Sequence, residues 1–498
     1  MALTYQLSPV LRLSAWPGVG AAAAACAIGM LVAQFDAAPV LGAMIAMAAG
    51  VAMLLRPELA TLLVVLLLYI NVPAILTQGH QVSEGLAGSF ILLLGAPLAY
   101  VLAVRREGLR FDATFLLMLA LLGALLLSSL VAVDKSIALE RVRGFAIEGL
   151  LLYWLLINVL RSVATLRRVI ATLLAVGALV SALCLYQDVT GSYKQDFWGL
   201  AHRDYVEAED VAQAYPLQSR RDWDRAQGPV NEPNRFAQIM IVLLPLAVFM
   251  YRTAQSPSAR LLAAGAGVLI LVGVLLTLSR GAIVTLVLMA GAMMPLGWLR
   301  PSRLLIGCLA LAMFVPFVAP FFLTRLQSIS SVTYLLSDDP SRIRQADGAI
   351  RGRTTEMLSA LYVFVDHPVV GVGPGQFSPF YFERYGQNAD IKFRDIRKPR
   401  RAHTLYFELG AELGLVGLTV FLAIAGLLLR RLWRQREYWL QRHRASSDLA
   451  AAFALSLMAY LCTAIFLHLS YQRYYWFLIA SASAAAHLLR ARAGRTTW

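Results

Sequence analysis

Three residues of this 498-residue chain combine reactive chemistry with an unusual setting: Arg225, Arg280 and His403. Arg280 is the one charged residue between Leu261 and Leu299, within TLSRGAIV. The apolar run around it is too long for a single membrane crossing and divides at Ser279-Arg280-Gly281, which puts the guanidinium at or just below a membrane surface. There it either snorkels to lipid phosphate as an anchor or holds an anionic group at the mouth of a helical bundle. Arg225 precedes GPVNEPNRF, where Gly228, Pro229 and Pro233 make turns and Asn231 or Asn234 can cap the following helix. Arg235 flanks the same junction. His403 opens HTLYFELGAELGLVGL, directly behind Arg400 and Arg401. The helix N-terminus and the two cations both disfavour its protonation, so it reads as a neutral imidazole able to accept a proton; interfacial capping of the helix is the alternative. Glu412 lies deeper along the same segment, beyond Glu408, and needs a cationic partner, with Arg280 and Arg353 as candidates.

Other chemistries find no support in the residues. Cys26, Cys184, Cys308 and Cys462 all fall inside apolar runs, with neither disulfide nor metal-ligand spacing, so no metal and no cofactor is expected. The segment DHPVVGVGPGQF contains a glycine-rich turn without the lysine and strand–helix setting of a phosphate-binding loop, which argues against a nucleotide site. Five aromatics follow, Phe377, Phe380, Tyr381, Phe382 and Tyr385. They either stack on sugar rings or form an interfacial belt.

The elements that position these groups are membrane helices. The chain is 59% hydrophobic and 15% charged, and runs of about 20 apolar residues recur along it. The pattern predicts an all-α polytopic membrane protein, with spans at 18–35, 38–55, 59–76, 88–104, 113–132, 143–160, 168–187, 235–251, 261–279, 281–299, 304–323, 403–429, 449–469 and 473–490. The first reads as an uncleaved span, since no small-residue cleavage site follows a short apolar core. The whole chain reads as one domain, without internal repeats. Its net charge of +15 comes mostly from arginines in short turns, which is a topological signal and not a nucleic-acid one. Arg105, Arg106, Arg161, Arg168, Arg252, Arg260, Arg300, Arg430, Arg436 and Arg490 all fall in alternate turns, which puts those turns and both termini in the cytoplasm. Two long connections, 188–234 and 324–402, then lie outside. Basic residues outnumber acidic ones in the second, and an external face gains from cations only when something anionic approaches it. Within that loop, Thr354 to Val365 reads as a helix with a threonine cap and a stop at Pro368. A transporter is the competing reading, but its ionisable groups would sit near mid-membrane in paired halves; only Glu148 and Asn158 fit that pattern.

Four motifs in order resemble the O-antigen ligase and polymerase superfamily of bacterial envelope glycosyltransferases. They are R…GxxxxPN (Arg225, Gly228, Pro233, Asn234), SRG (Ser279 to Gly281), DHPxxGxGPGxF (Asp366 to Phe377) and HTLYxxxxxExGLxGL (His403 to Leu418). The resemblance spans residues 180–430, and 12–14 membrane helices with a large periplasmic loop of short helices would suit it. It implies an inner-membrane enzyme with its active site on the periplasmic side and a polyprenyl- (undecaprenyl-) diphosphate-linked glycan as donor. The acceptor would be a further lipid-linked glycan, for a polymerase, or lipid A core or a protein, for a ligase. The glycine-rich DHPVVGVGPGQF leans towards polymerase. By the same resemblance Arg225 and Arg280 hold the donor diphosphate and His403 stands near the acceptor hydroxyl. Arg353, Arg400, Arg401, Glu412, Asn234, Tyr381 and Tyr385 would contact substrate. The family often has asparagine after the histidine, where this chain has Thr404.

The charge pattern yields a direct test of orientation. Reporter fusions after Arg106, Arg168 and Arg436 should read cytoplasmic, and fusions near Ala214 and Gln387 external. A cytoplasmic signal at Gln387 would move the large loop to the wrong face.

Overall fold

In the computed structural model the described residues are 56–80, 88–203, 225–302, 348–388, 399–469 and 472–496, with Phe393 and scattered positions between 304 and 346. The spans expected at 18–35, 38–55 and 304–323 lie wholly or mostly outside them. Residues 1–60 and 61–498 form two compact units, and the helices and sites that follow belong to the second, save the first turn of Pro57–Tyr69.

Every other expected span overlaps helix, with 59–76 divided between Pro57–Tyr69 and Val72–His80. Among the described residues six helices are long and apolar enough to cross a membrane: Lys135–Val159, Val163–Thr190, Pro233–Thr253, Pro257–Leu276, Leu405–Leu440 and Arg444–Thr463. Shorter apolar helices cover Ser89–Ala103, Ala113–Ser129 and Arg280–Met293. The protein is an all-helical, polytopic membrane protein. Among the described residues the one β-ladder lies in the 188–234 connection, pairing His202 with Gly228 and Arg203 with Ala226.

Side-chain size sorts the helices by depth. Arg444–Thr463 is 78% buried over its apolar window, whereas Pro257–Leu276 is 33% buried. The former is rich in alanine and serine, which let neighbouring backbones approach closely. The final helix, Arg473–Thr496, carries this further, with Ala480 to Ala486 buried throughout. It is long enough to cross but less apolar than the six crossing helices, because other helices, not lipid, surround it.

Breaks in the helices are stitched by neighbours, as a lipid environment requires. Pro245 interrupts the helix of residues 233–253, and the carbonyls of Ile239 and Val242 accept from Tyr69 Oη (2.6 Å) and Ser456 Oγ (2.7 Å). Two polar networks mark opposite ends of the bundle. At one, Asp112 caps Ala113–Ser129 and accepts from Tyr153 and Ser483, with His487 at 2.8 Å. At the other, Arg473 donates to Glu148 (3.2 Å) and Asn71 (2.9 Å), and Asn71 donates to Pro229 O (2.8 Å). Glu148 and Asn158, the residues a transporter reading relied on, are thus both engaged; Asn158 joins Arg110 and Arg161.

The largest break lies inside Leu405–Leu440. Gly414 takes φ 63° and ψ −165°, a conformation open to glycine alone, and splits the helix into two segments. The freed backbone groups are taken up by the glycine-rich turn of the large loop. Leu415 N–H donates to Pro368 O (2.7 Å) and Val416 N–H to Val369 O (3.2 Å). In return, Val372 and Gly373 donate to the carbonyls of Ala411 (2.9 Å) and Glu412 (3.0 Å). Gln376 fastens the far side of the turn, exchanging hydrogen bonds with the backbone of Asp134. The loop is therefore keyed into the bundle. A Cβ on Gly414 would lie 2.2 Å from Val369 O, and one on Gly371 2.3 Å from the backbone of Glu412. Gly414→Ala should consequently destabilise the fold by roughly 3 kcal/mol or more. Gly426→Ala, in open helix twelve residues on, should change stability by about 1 kcal/mol or less, in the stabilising direction. Thermal unfolding of both variants in detergent checks the contrast.

Candidate active site

The interlocked loop and the turns between helices gather basic side chains around His403. Its backbone is left-handed (φ 50°), a strained state for a histidine, and the helix beyond it is capped by Thr404. The interfacial-capping alternative for His403 therefore falls away. Thr404 holds the cap position by backbone conformation only, without a side-chain cap bond. Glu408 stabilises the bend instead: it accepts from Ala402 N–H (3.1 Å) and from Arg401 Nε (3.0 Å).

Each face of the imidazole meets a different group. Nε2 lies 3.4 Å from Oε2 of Glu356, a carboxylate that is 2% exposed. Arg400 reaches the same carboxylate at 3.6 Å. The ring packs edge-on against His468, with centroids 5.6 Å apart. Among the described residues Nδ1 has no hydrogen-bond partner, though it is buried. With the carboxylate at Nε2 the proton belongs on that nitrogen, and Nδ1 keeps its lone pair.

Burial, then the charges of Arg353, Arg400, Arg235 and Arg401, lower the His403 pKa to about 3. His468 is lowered as well, by burial and by Arg401 and Arg235. The imidazole is neutral at pH 7, as the sequence suggested, though burial contributes more than its neighbours in the chain.

The two remaining arginine motifs converge on the same end. Arg225 donates from Nε to Thr277 O (2.7 Å), in the turn that carries Arg280, and from Nη2 to Asn234 Oδ1 (3.0 Å). Asn234 thus braces Arg225 and does not cap. The cap position belongs to Glu232, because Pro233 takes the first helical turn, and Asn231 sits before it with φ 52°. Arg235 is 1% exposed and donates to His468 O (2.6 Å), linking the Arg225 junction to the histidine pair. Gly281 abuts Phe466, two residues before His468.

Other expectations are corrected. Glu412 does not look to Arg280 or Arg353: it lines a cavity of about 330 Å³ with Arg141, Arg401, Glu148 and Glu408, and accepts from Gly375 N–H. The kink at Gly414 and the docked loop turn it that way. Thr354 is not a cap, since the helix runs Gly348–Asp366 and its hydroxyl returns to Ile350 O (3.0 Å). Arg351 and Arg353 extend it backwards because they are good helix formers. It does end before Pro368. Phe377 and Phe382 are fully buried in a small core with Ala402, which removes them from sugar contact; Phe380 is 40% exposed. Tyr381 packs against that core and His367, while Tyr385 donates to Asp366 (2.6 Å).

The sequence reading missed Glu356, His468 and the role of Arg235. Glu356 is the lone acid of TTEMLSALYVFV, and His468 the lone polar residue of AIFLHL. Both patterns are visible, but neither says what the side chain faces. Among the described residues no three carboxylate, imidazole or thiol groups converge as a metal-binding set.

Residues 265–422 match the family model described as O-antigen ligase. The match bears out the resemblance seen in the motifs; it includes Arg280, Glu356 and His403 and leaves Arg225 and Asn234 outside. No curated protein matches the chain. The low pKa of His403 has a measurable consequence. An unfolded histidine protonates near pH 6.5, whereas the folded one resists to about 3, so stability is full above about 6.5 and falls as pH drops between these values. From pH 7 to pH 4 the wild type should lose more thermal midpoint than His403→Gln; parallel curves would contradict the assignment.

Proposed function

Taking the O-antigen ligase match over residues 265–422 as premise, we propose that the protein transfers glycan from a polyprenyl-diphosphate carrier to an acceptor hydroxyl on the periplasmic face of the inner membrane. The observation that carries this reading is His403 itself: a neutral imidazole with Nε2 against Glu356, a buried Nδ1 without a partner among the described residues, and arginines around it.

In one displacement the acceptor oxygen bonds to the anomeric carbon and the carbon–oxygen bond to the diphosphate breaks. The hydroxyl proton passes to His403 Nδ1, and the leaving diphosphate keeps the electron pair. Arg225 and Arg280, held in register through Thr277, bind that diphosphate and stabilise the charge it gains; such preorganised electrostatics commonly dominate catalysis. A single inversion at the anomeric carbon follows. Glu356 stabilises the imidazolium formed after proton transfer, as the acidic member of a triad does. Arg353 and Arg400 border the acceptor side, and Tyr381 and Tyr385 offer ring faces to sugars. Arg401 and Glu412 line a cavity beside that site, where a bound glycan would meet both side chains. Neither metal nor nucleotide enters the scheme.

Polymerisation onto a second lipid-linked glycan is the favoured outcome, from the DHPVVGVGPGQF motif; transfer to lipid A core is the ligase alternative. Purified protein given labelled lipid-diphosphate glycan separates them, a ladder of products indicating polymerase. His403→Ala should lower turnover about 10²–10⁴-fold while still binding donor. Arg280→Lys should remain badly impaired, because lysine lacks the planar fork. If matched, folded samples of both variants retain near-normal activity, the mechanism is wrong.

A further inference from the structure

At the end of the bundle away from His403, a cavity of about 790 Å³ opens where several helices start or stop. The helix Pro257–Leu276 ends just before the Arg280 turn and begins at this cavity; its 20 residues rise about 30 Å, so the two features lie at opposite surfaces. Among the described residues five arginines line the cavity, Arg167, Arg252, Arg260, Arg444 and Arg492, against one acid, Asp448.

That acid is already shared. Its Oδ2 accepts from Arg252 Nε (3.1 Å) and its Oδ1 from Trp298 Nε1 (3.0 Å). Neutral groups brace other guanidiniums. Arg167 donates to Thr253 Oγ1 (2.9 Å) and lies over Phe249, while Arg260 lies over Tyr251. Arg492 donates to Ser446 Oγ (3.3 Å) and covers Trp439. The first turn of Arg444–Thr463 forms part of the wall, and its dipole favours the same sign of ligand. A bias for basic residues at one membrane face explains arginines that point outward to bulk headgroups. It does not explain arginines from separate helices that converge on one concavity, where a bound anion would offset their mutual repulsion. The volume is that of a small-molecule site, well beyond the needs of a chloride or a carboxylate.

We propose that this cavity binds a phosphate group, held by the forked guanidiniums of Arg252, Arg260 and Arg444. The structure favours an anionic phospholipid headgroup as its source. Leu261 and Leu262, next to Arg260, are 74% and 75% exposed, so hydrocarbon-facing surface adjoins the mouth. The site is remote from the glycan chemistry and stands whether or not that reading holds.

The test uses full-length protein in neutral detergent, wild type and Arg260→Ala/Arg444→Ala. Both arginines are exposed and outside the Asp448 pair, so the variant should fold. Native mass spectrometry and thermal unfolding are recorded with phosphatidylglycerol, with phosphatidylcholine and with inorganic pyrophosphate. The expected result is saturable retention and stabilisation by phosphatidylglycerol over phosphatidylcholine, weakened about tenfold or more in the double variant. Saturable stabilisation by pyrophosphate that the variant loses would also support the phosphate site and assign it to a soluble ligand. Equal responses to both lipids with no pyrophosphate effect, or a preference that the variant retains, would overturn the proposal.

Discussion

The structure depends on one backbone exchange, between the break at Gly414 and the turn from Pro368 to Gly373. A helix broken inside a membrane protein exposes donors and acceptors that lipid cannot satisfy. Here the N–H groups of Leu415 and Val416 and the carbonyls of Ala411 and Glu412 are met by main chain of the large loop. The break and the loop thus depend on each other for these hydrogen bonds. The loop's small apolar cluster of Ala360, Val363, Val372, Phe377 and Phe382 is completed by Ala402 and Ala411 from the broken helix and its approach. That interlock fixes the helix Gly348–Asp366 beside residues 400–403, and so fixes Glu356 beside His403.

From this follows the electrostatic character of the site. Burying a histidine among arginines keeps it neutral, and neutrality makes its lone pair available. A buried carboxylate would be costly without partners, and Arg400 with His403 supply them. Arg401 is matched in the same way by Glu408. The basic loop is therefore not simply a positive surface. Some of its cations hold the local fold, and others set the charge state of one imidazole.

The opposite end of the bundle uses the same residue type to a different purpose. Around Asp448, which pairs with Arg252, the arginines stack on Phe249, Tyr251, Trp298 and Trp439 and bind hydroxyls, which aligns their forks. Arginine suits both ends because its charge survives burial and its plane packs on rings.

The sequence by itself determined the membrane class, the helix positions and the grouping of Arg225, Arg280 and His403 at one end. These follow from hydropathy, charge and chain direction, which are local or nearly so. Arg280 at the start of its helix and the stop before Pro368 were legible for the same reason. Only the tertiary structure decided that Asn234 braces Arg225, that Glu412 faces Arg141 and Arg401, and that Glu356 and His468 complete the histidine site. Each of those depends on which faces of distant helices meet. The break at Gly414 could not be read from ELGLVGL, because a glycine within an apolar helix costs little until another backbone arrives to use the hydrogen bonds it releases.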